Sequence, residues 1–462
     1  MNDHREEHHY IKEEIQHIKD GVHHMKEGVH HAREEMQQEI QYAKEHTAEG
    51  VTESFFKMRR SVLNFLDWAV FGVLVGLAAG FVAAVFGLLL TELTSYRMGH
   101  PQLILGLPFA GLVIVFLYYH VGEHGDKGTN LVLRSVREGE KVPWYVAVRI
   151  FIATAITHLF GGSAGREGAA LQLGSSISST LAKLLKREGK DTTITVMCGM
   201  SAAFSALFGT PLAASIFAME VVNVGEMYYS ALVPCSFAAL VGSMVANALG
   251  VKGEVFHILT VPELTPLTFI KILILAAGCA LVSVLFCMIL HASHHLFHKS
   301  FWNKYVSVFT AGTLVVILTI LVGSSDYMGT GMHIIEKAIE GEVRPEAFLL
   351  KIIFTALTLG ACYKGGEIVP SFFVGATFGC LMGKLLGISP SLCASVGMVA
   401  VFCGVTNCPI SSLLIAAELF GFEGIYYFLI GVVVSYMLSG YYSLYSSQKI
   451  IFGKYRSKIL KR

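Results

Sequence analysis

A glycine-rich interruption at residues 161–168 restricts the fold of this chain more than any other feature of its sequence. Its sequence is Gly-Gly-Ser-Ala-Gly-Arg-Glu-Gly, and it lies between the apolar runs 144–160 and 169–185. Backbone that is not helical is tolerated at membrane depth only where it is buried in protein or lines a watery cavity. We therefore expect the break to lie inside a helical bundle, with a new helix beginning near residues 166–168.

The start of that helix predicts an anion site. The first turn of a helix presents unpaired N–H groups and the positive end of the helix dipole. Glu167 in this turn is itself an anion, and a proton can neutralise it. A protonatable carboxylate that competes with a soluble anion for one site is sufficient to couple anion binding to proton binding. The alternative is that Glu167 only satisfies its own helix end or pairs with Arg166, although an intramembrane acid by default indicates function.

Composition indicates a polytopic membrane protein. Of the 462 residues, 53% are hydrophobic and 15% are charged, and the mean hydropathy is +0.58. The net charge of +1 gives no indication of a nucleic-acid partner. The nine cysteines lie in apolar runs without the close pairing of a zinc site, so we interpret them as small buried hydrophobes. We find no nucleophile–base pair, metal cluster or phosphate loop, and therefore expect no enzyme activity, metal or cofactor.

The first 57 residues differ from the rest and predict an amphipathic helix. An apolar ladder with steps of four and three, the heptad spacing of a coiled coil, runs through Ile11, Ile15, Ile18, Val22, Met25, Val29, Ala32 and Met36. We expect this helix to pair with a copy of itself through residues 11–47, or to lie on the membrane surface. Nine histidines fall within residues 1–46. For these we favour a solvated face over metal binding or pH sensing.

Basic residues flank the apolar part of the chain on both sides. Lys57, Arg59 and Arg60 precede the first apolar run, 65–93, and further basic residues follow the last one. This bias predicts a multi-pass protein of the plasma membrane with both termini in the cytoplasm. Further apolar segments lie near residues 102–120, 144–160, 169–185, 195–208, 211–224, 229–249, 267–292, 305–323, 346–362, 368–387, 391–406, 409–421 and 424–446.

The apolar part contains an internal repeat. Gly199–Phe204 matches Gly397–Phe402 at an offset of 198, and each copy continues to a proline and then to a glutamate, Glu220 or Glu418. The Gly-Arg-Glu sequence that ends at Glu167 has an echo in the Gly-Gly-Glu sequence that ends at Glu367. Repeated halves with interrupted helices are typical of transporters whose binding site lies where the halves meet. We expect halves at 58–250 and 251–462, with both breaks at the centre.

These motifs resemble those of the CLC family of anion channels and anion/proton antiporters. Gly165–Gly168 is similar to the family's GREG-type motif, whose glutamate gates the anion path and carries the proton. The resemblance extends from about residue 65 to residue 445. It implies an all-α membrane fold, an inverted repeat of interrupted and tilted helices, and a homodimer in which each subunit has its own pathway.

Three departures from the usual family pattern resemble the bacterial fluoride/proton antiporter branch. A Gly-Asp-Lys-Gly-Thr-Asn-Leu loop at 125–131 replaces the usual serine-bearing loop. A Gly-Gly-Glu-Ile-Val-Pro break at 365–370 replaces the usual aromatic one, and in that branch the glutamate matching Glu367 is thought to support selectivity and coupling. Val221 follows Glu220 where many chloride/proton exchangers have a second acid that relays protons.

The resemblance therefore implies a fluoride/proton antiporter with Glu167 as the gating, proton-carrying residue and Glu367 in selectivity and coupling. Glu220 is either a proton-path residue or a helix cap. The alternatives are a chloride-selective antiporter or passive channel on the same scaffold, and a sensor or structural protein in which the N-terminal helix is the working part and the membrane body an anchor. The expected anion contacts are Gly165, Arg166, Gly168, Thr129, Asn130, Ile368, Val369 and Tyr445.

Overall fold

The computed structural model describes residues 26–44, 48–120, 128–140, 142–187 and 192–455. The chain divides into two units at Asp67. In the first unit, residues 26–44 form helix α1, which is exposed along its length. Its ladder residues Val29, Met36 and Ile40 are exposed, while the ladder before residue 26 lies outside the described residues. Self-association through this ladder stays a prediction.

Except for α4 and α12, the remaining helices correspond to the predicted apolar segments. The first half contains α2 (Ala48–Gly99), α3 (Leu107–His120), α4 (Thr129–Glu138), α5 (Trp144–Leu159), α6 (Glu167–Leu184), α7 (Thr192–Phe208), α8 (Pro211–Glu220) and α9 (Leu232–Ala248). The second half contains α10 (Pro266–Ser300), α11 (Lys304–Val322), α12 (Met332–Ile339), α13 (Ala347–Gly360), α14 (Ile368–Leu386), α15 (Pro390–Thr406), α16 (Pro409–Phe420) and α17 (Ile425–Leu438). Short 3-10 helices, Pro101–Gly106 and Tyr229–Ala231, precede α3 and α9, and strand β1 (Asn223–Val224) pairs in parallel with β2 (Lys449–Ile450).

Helix lengths confirm the prediction of an all-α polytopic membrane protein. Within the described residues, six helical segments are long and apolar enough to cross a membrane: Thr52–Gly99, Pro101–His120, Tyr229–Ala248, Pro266–Ser300, Lys304–Val322 and Ile368–Leu386. Seven further apolar helices have only 10–17 residues, fewer than the roughly 20 that a full span needs. Helices of this length are typical of interrupted segments, whose free backbone ends are tolerated at membrane depth only where protein or a watery cavity surrounds them.

Two short amphipathic helices, α4 and α12, were not predicted. In α4 the apolar side chains Val132, Leu133 and Val136 are buried, while Arg134 on the other face pairs with Glu138 at 3.3 Å. These helices were missed because they have ten and eight residues and too many polar side chains to stand out as apolar runs. As a result, part of the predicted loop 125–131 is the first turn of α4.

The repeat is visible in how the two halves hold each other. Glu220, the last residue of α8, accepts hydrogen bonds from the first backbone amides of α16, at 2.8 Å from Ser411. Glu418 near the end of α16 accepts hydrogen bonds from the first amides of α8, at 2.9 Å from Ala213. Each glutamate therefore satisfies the orphan donors of the other half's helix. These contacts match the helix-cap interpretation, and a proton-path role for Glu220 stays a prediction.

Candidate functional site

The two glycine-rich breaks meet in the interior and pair with each other. The N–H of Gly165 donates to the carbonyl of Gly366 at 2.7 Å, and the N–H of Gly366 donates back at 2.7 Å, which forms one antiparallel bridge. The approach is close enough to require glycine, since a Cβ on Gly366 would lie 2.6 Å from the backbone nitrogen of Gly168. The bridge brings together the starts of α6 and α14.

Glu167 is the first residue of α6, as the sequence predicted, and its side chain is fully buried. Its Oε2 accepts a hydrogen bond from the backbone N–H of Arg166 at 3.0 Å, and the amide of Val369 in α14 also interacts with the carboxylate. Its Oε1 lies 3.4 Å from Nε of Arg166 and finds no hydrogen-bond partner among the described residues. Burying a carboxylate is costly unless it is paired. Here the amides of two helix starts and one guanidinium provide that pairing.

Glu367 stands at the corresponding position of the second break, where it is the N-cap residue of α14. A Cβ placed on Gly168 would lie 3.1 Å from Oε2 of Glu367 and 3.1 Å from Oγ1 of Thr129. The Glu367 carboxyl and the Thr129 hydroxyl therefore converge on the first turn of α6. Oε2 of Glu367 finds no hydrogen-bond partner among the described residues. Two carboxyl groups within one small pocket repel each other when both are charged.

A cavity of about 880 Å³ opens onto this pocket. Its lining includes four predicted site residues, Thr129, Asn130, Glu367 and Tyr445. The Tyr445 side chain is 2% exposed, and its hydroxyl finds no partner within the described part of the chain. Oδ1 of Asn130 accepts the N–H of Ser447 at 2.9 Å and so ties the C-terminal segment to α4. The structure thus brings a tyrosine hydroxyl, a threonine hydroxyl and a carboxyl to one wall.

Arg166 connects the pocket to a second cavity of about 290 Å³, whose wall includes His158 and the end of α2. A guanidinium nitrogen of Arg166 lies 3.1 Å from Oε1 of Glu254, which lines the same cavity. The candidate membrane span Pro101–His120 lies in the chain between the end of α2, which lines the smaller cavity, and the start of α4, which lines the larger one.

Buried side chains outside the predicted set hold the break in place. The N–H of Ser163 donates to Oγ1 of Thr358 at 3.1 Å, which fixes the break against α13. The fully buried Lys351 donates to the carbonyl of Gly329 at 2.7 Å, and Arg97 donates to the carbonyl of His158 at 2.9 Å. A single charge inside an apolar helix was a readable signal for Lys351, whereas Arg97 lies in the polar last turns of α2. The backbone partners of both residues are distant in sequence.

An inverted repeat of interrupted helices, whose starts meet at two buried carboxyl groups, is typical of a membrane transport protein. The chain matches the sequence model of a family described as voltage gated chloride channel over residues 110–440. It belongs to this family, the CLC proteins, whose members are transporters or channels, and the predicted family is therefore confirmed.

Its relatives include transport proteins for two halides. A protein from Pseudomonas syringae pv. tomato named "Chloride/fluoride channel protein" is 33% identical, with 84% of this chain and 87% of the relative covered. The crystal structure of a CLC-type fluoride/proton antiporter is 32% identical, with a TM-score of 0.81 and coverage of 83% of this chain and 98% of the other. An H(+)/Cl(−) exchange transporter, ClcA of Vibrio vulnificus, is 23% identical over 78% of this chain and 83% of its own length.

Proposed function

We propose that the protein is a fluoride/proton antiporter that exports cytoplasmic fluoride in exchange for protons, with Glu167 as its gate and proton carrier. The observation that carries the proposal is the fully buried carboxylate of Glu167 at the bridged starts of α6 and α14. The relatives of 32–33% identity, one a fluoride/proton antiporter and one named for chloride and fluoride, support fluoride as the cargo.

The proposed cycle follows from competition for one set of donors. In the geometry described, the carboxylate of Glu167 occupies the amides of Arg166 and Val369. A small anion at these helix starts needs the same donors. A proton on Glu167 removes its charge, so the side chain leaves the amides and the anion enters. When the proton departs, the carboxylate returns and displaces the anion, so that each binds only in the absence of the other.

Fluoride suits the wall that surrounds this competition. It is small, strongly hydrated and a strong hydrogen-bond acceptor, so a site must replace its water with firm donors. The amides of Gly168 and Ile368 and the hydroxyls of Thr129 and Tyr445 are the proposed donors. Glu367 in its neutral form adds an O–H donor. Because fluoride accepts hydrogen bonds more strongly than chloride does, this donor favours fluoride and gives Glu367 its proposed role in selectivity.

The orientation and assembly of the protein are part of the same proposal. Basic residues on both flanks of the apolar part favour cytoplasmic termini. The C-terminal segment lines the larger cavity through Ser446 and Ser447, so this cavity opens to the cytoplasm under that orientation. The family resemblance further implies a homodimer with a separate pathway in each subunit.

Reconstitution into liposomes tests the proposal directly. Fluoride- and pH-sensitive electrodes should record fluoride movement against a proton gradient for the wild type. Glu167→Gln and Glu167→Ala should abolish proton coupling, whereas Glu423→Gln, at an exposed loop position, should not. Proton-driven fluoride uptake that persists in Glu167→Ala liposomes would refute the role of this residue. Equal movement of chloride, or fluoride movement without protons, would favour the chloride-transporter or channel alternative.

A further inference from the structure

The last turns of α10 carry a stripe of four histidines. His291, His294, His295 and His298 are spaced i, i+3, i+4 and i+7, which places them on one face of the helix. All four line the cavity of about 880 Å³ that opens onto Glu367 and Tyr445. We call this set the histidine stripe. No step of the proposed transport cycle uses it.

The charged groups that surround the histidine stripe are mostly basic. Within the described residues, the cations of the lining are Arg134 of α4, Lys299 of α10, Lys304 of α11 and Lys364 before α14, and Glu367 is the acid. Beside the lining, Glu138 and Glu140 pair with Arg134 at 3.3 and 3.5 Å. Basic side chains therefore outnumber acidic ones in the lining, and Cys362, Tyr363 and Tyr445 are the other titratable groups of the wall.

The histidine stripe is connected to the proposed transport site by a backbone contact. Nε2 of His291 lies 3.3 Å from the carbonyl oxygen of Leu444, the residue before Tyr445. The other three histidines continue along α10 towards its end at Ser300. The stripe thus leads from the helix end to the wall of the site.

We infer that the histidine stripe forms an anion-binding antechamber for the transported halide, in which histidine protonation and anion capture reinforce each other. The inference rests on the proposed function, because it requires that the anion reach Glu367 through this cavity. Clefts lined by one sign of charge raise the local concentration and entry rate of the opposite ion by about 10- to 1,000-fold. A histidine side chain gains a positive charge when it binds a proton, so protonation of the stripe strengthens this attraction when its side of the membrane acidifies.

Binding linkage gives the antechamber a second property. If protonation raises anion affinity, anion binding must raise histidine protonation by the same factor. Fluoride that crosses a membrane as hydrogen fluoride releases one proton for each anion inside. Under the proposed orientation, the antechamber would capture fluoride best under the acid conditions that accompany its entry.

The transport experiment measures the half-saturating fluoride concentration at pH 6.0 and 8.5, with the pH difference across the liposome membrane held constant. In the wild type the half-saturating fluoride concentration should fall by about tenfold from pH 8.5 to pH 6.0. Added impermeant salt should weaken this pH effect. The combined variant His294→Gln, His295→Gln, His298→Gln should show less than a twofold change. The combined His294→Lys, His295→Lys variant should keep a low half-saturating concentration at both pH values. His257→Gln, on an exposed loop outside this cavity, is the matched control.

A binding measurement separates this inference from the proposed function. Calorimetric titration of the detergent-solubilised protein with sodium fluoride and with sodium chloride measures anion binding whether or not transport is proton-coupled. Tighter binding at pH 6.0 than at 8.5, lost in the glutamine variant and restored in the lysine variant, supports the antechamber. Equal pH dependence in the wild type and the glutamine variant overturns it, even if fluoride/proton exchange is confirmed. If the calorimetric binding depends on the stripe as expected but no fluoride/proton exchange is recorded in liposomes, only the proposed function is overturned.

Discussion

Replacing Gly366 by alanine tests whether the bridge between the two breaks is essential. The added Cβ would lie 2.6 Å from the backbone nitrogen of Gly168 and 3.0 Å from that of Glu167, whereas ordinary contacts are 3.4–4 Å. Both neighbours are backbone atoms at a helix start, so neither can turn away as a flexible side chain can. The breaks must therefore separate by roughly 1 Å to reach a normal carbon contact.

The structure gives the size of the expected effect. A separation of this amount would stretch the two bridge hydrogen bonds, now 2.7 Å each, beyond the usual range. Overpacking costs about 1–3 kcal/mol and each lost hydrogen bond about 0.5–1.5 kcal/mol, so we expect a loss of about 2–6 kcal/mol in stability. A displacement of about 1 Å at a reacting centre costs about 100-fold in rate, and we expect a similar loss of proton-coupled flux.

The assay combines thermal unfolding of the purified protein with flux in liposomes. Gly99→Ala serves as the matched control, since no described atom lies within 4 Å of a Cβ at that helix end. We expect the control to unfold and transport like the wild type, and Gly366→Ala to lose stability and flux together. A Gly366→Ala protein with the wild-type unfolding temperature and flux would show that the bridge does not hold the site together.

Three further variants test separate parts of the molecule. Glu367→Ala should lower the fluoride-to-chloride preference measured by electrode, and an unchanged ratio would remove this residue from the selective site. Glu418→Ala should lower thermal stability by about 1–2 kcal/mol, because α8 loses its capping acceptor, while the number of protons moved per fluoride stays constant; a changed ratio would contradict a purely capping role. Deletion of residues 1–57 should leave flux intact, whereas its loss would favour the sensor interpretation.

The start of α6 was predictable because its determinants are local. Glycines permit the break, the apolar run that follows requires a helix, and the expected start at 166–168 includes the observed Glu167. The repeat likewise predicted that a second break would lie opposite. The register between the breaks was not predictable, since the repeat aligns Gly165 with Gly365 but the hydrogen bonds join Gly165 to Gly366. Such pairing is decided by the packing of α6 against α14, which sequence spacing does not record.

The larger cavity shows a different limit of sequence reasoning. The four histidines of the stripe have clear helical spacing, but nothing in that spacing indicates whether they face lipid, solvent or a cavity. Their position follows from the C-terminal segment, where Leu444 contacts His291 and Tyr445 reaches the wall. Tyr441 and Tyr442 are 39% and 45% exposed, whereas Tyr445 is buried and lines the cavity. The sequence alone does not distinguish these three tyrosines.

Coupling in the proposed transporter follows from the cost of unsatisfied polar groups. The helix starts at the bridge direct several backbone amides into one small pocket, and leaving buried donors unpaired costs about 1–3 kcal/mol each. An empty pocket is therefore unfavourable, and so is a pocket that holds both the Glu167 carboxylate and a second anion, because like charges repel at short distance. The two favourable states each contain one negative charge, from either the side chain or the halide. Replacing the Glu167 carboxylate by the halide requires a proton on Glu167. In the proposed cycle, anion movement and proton movement must therefore alternate.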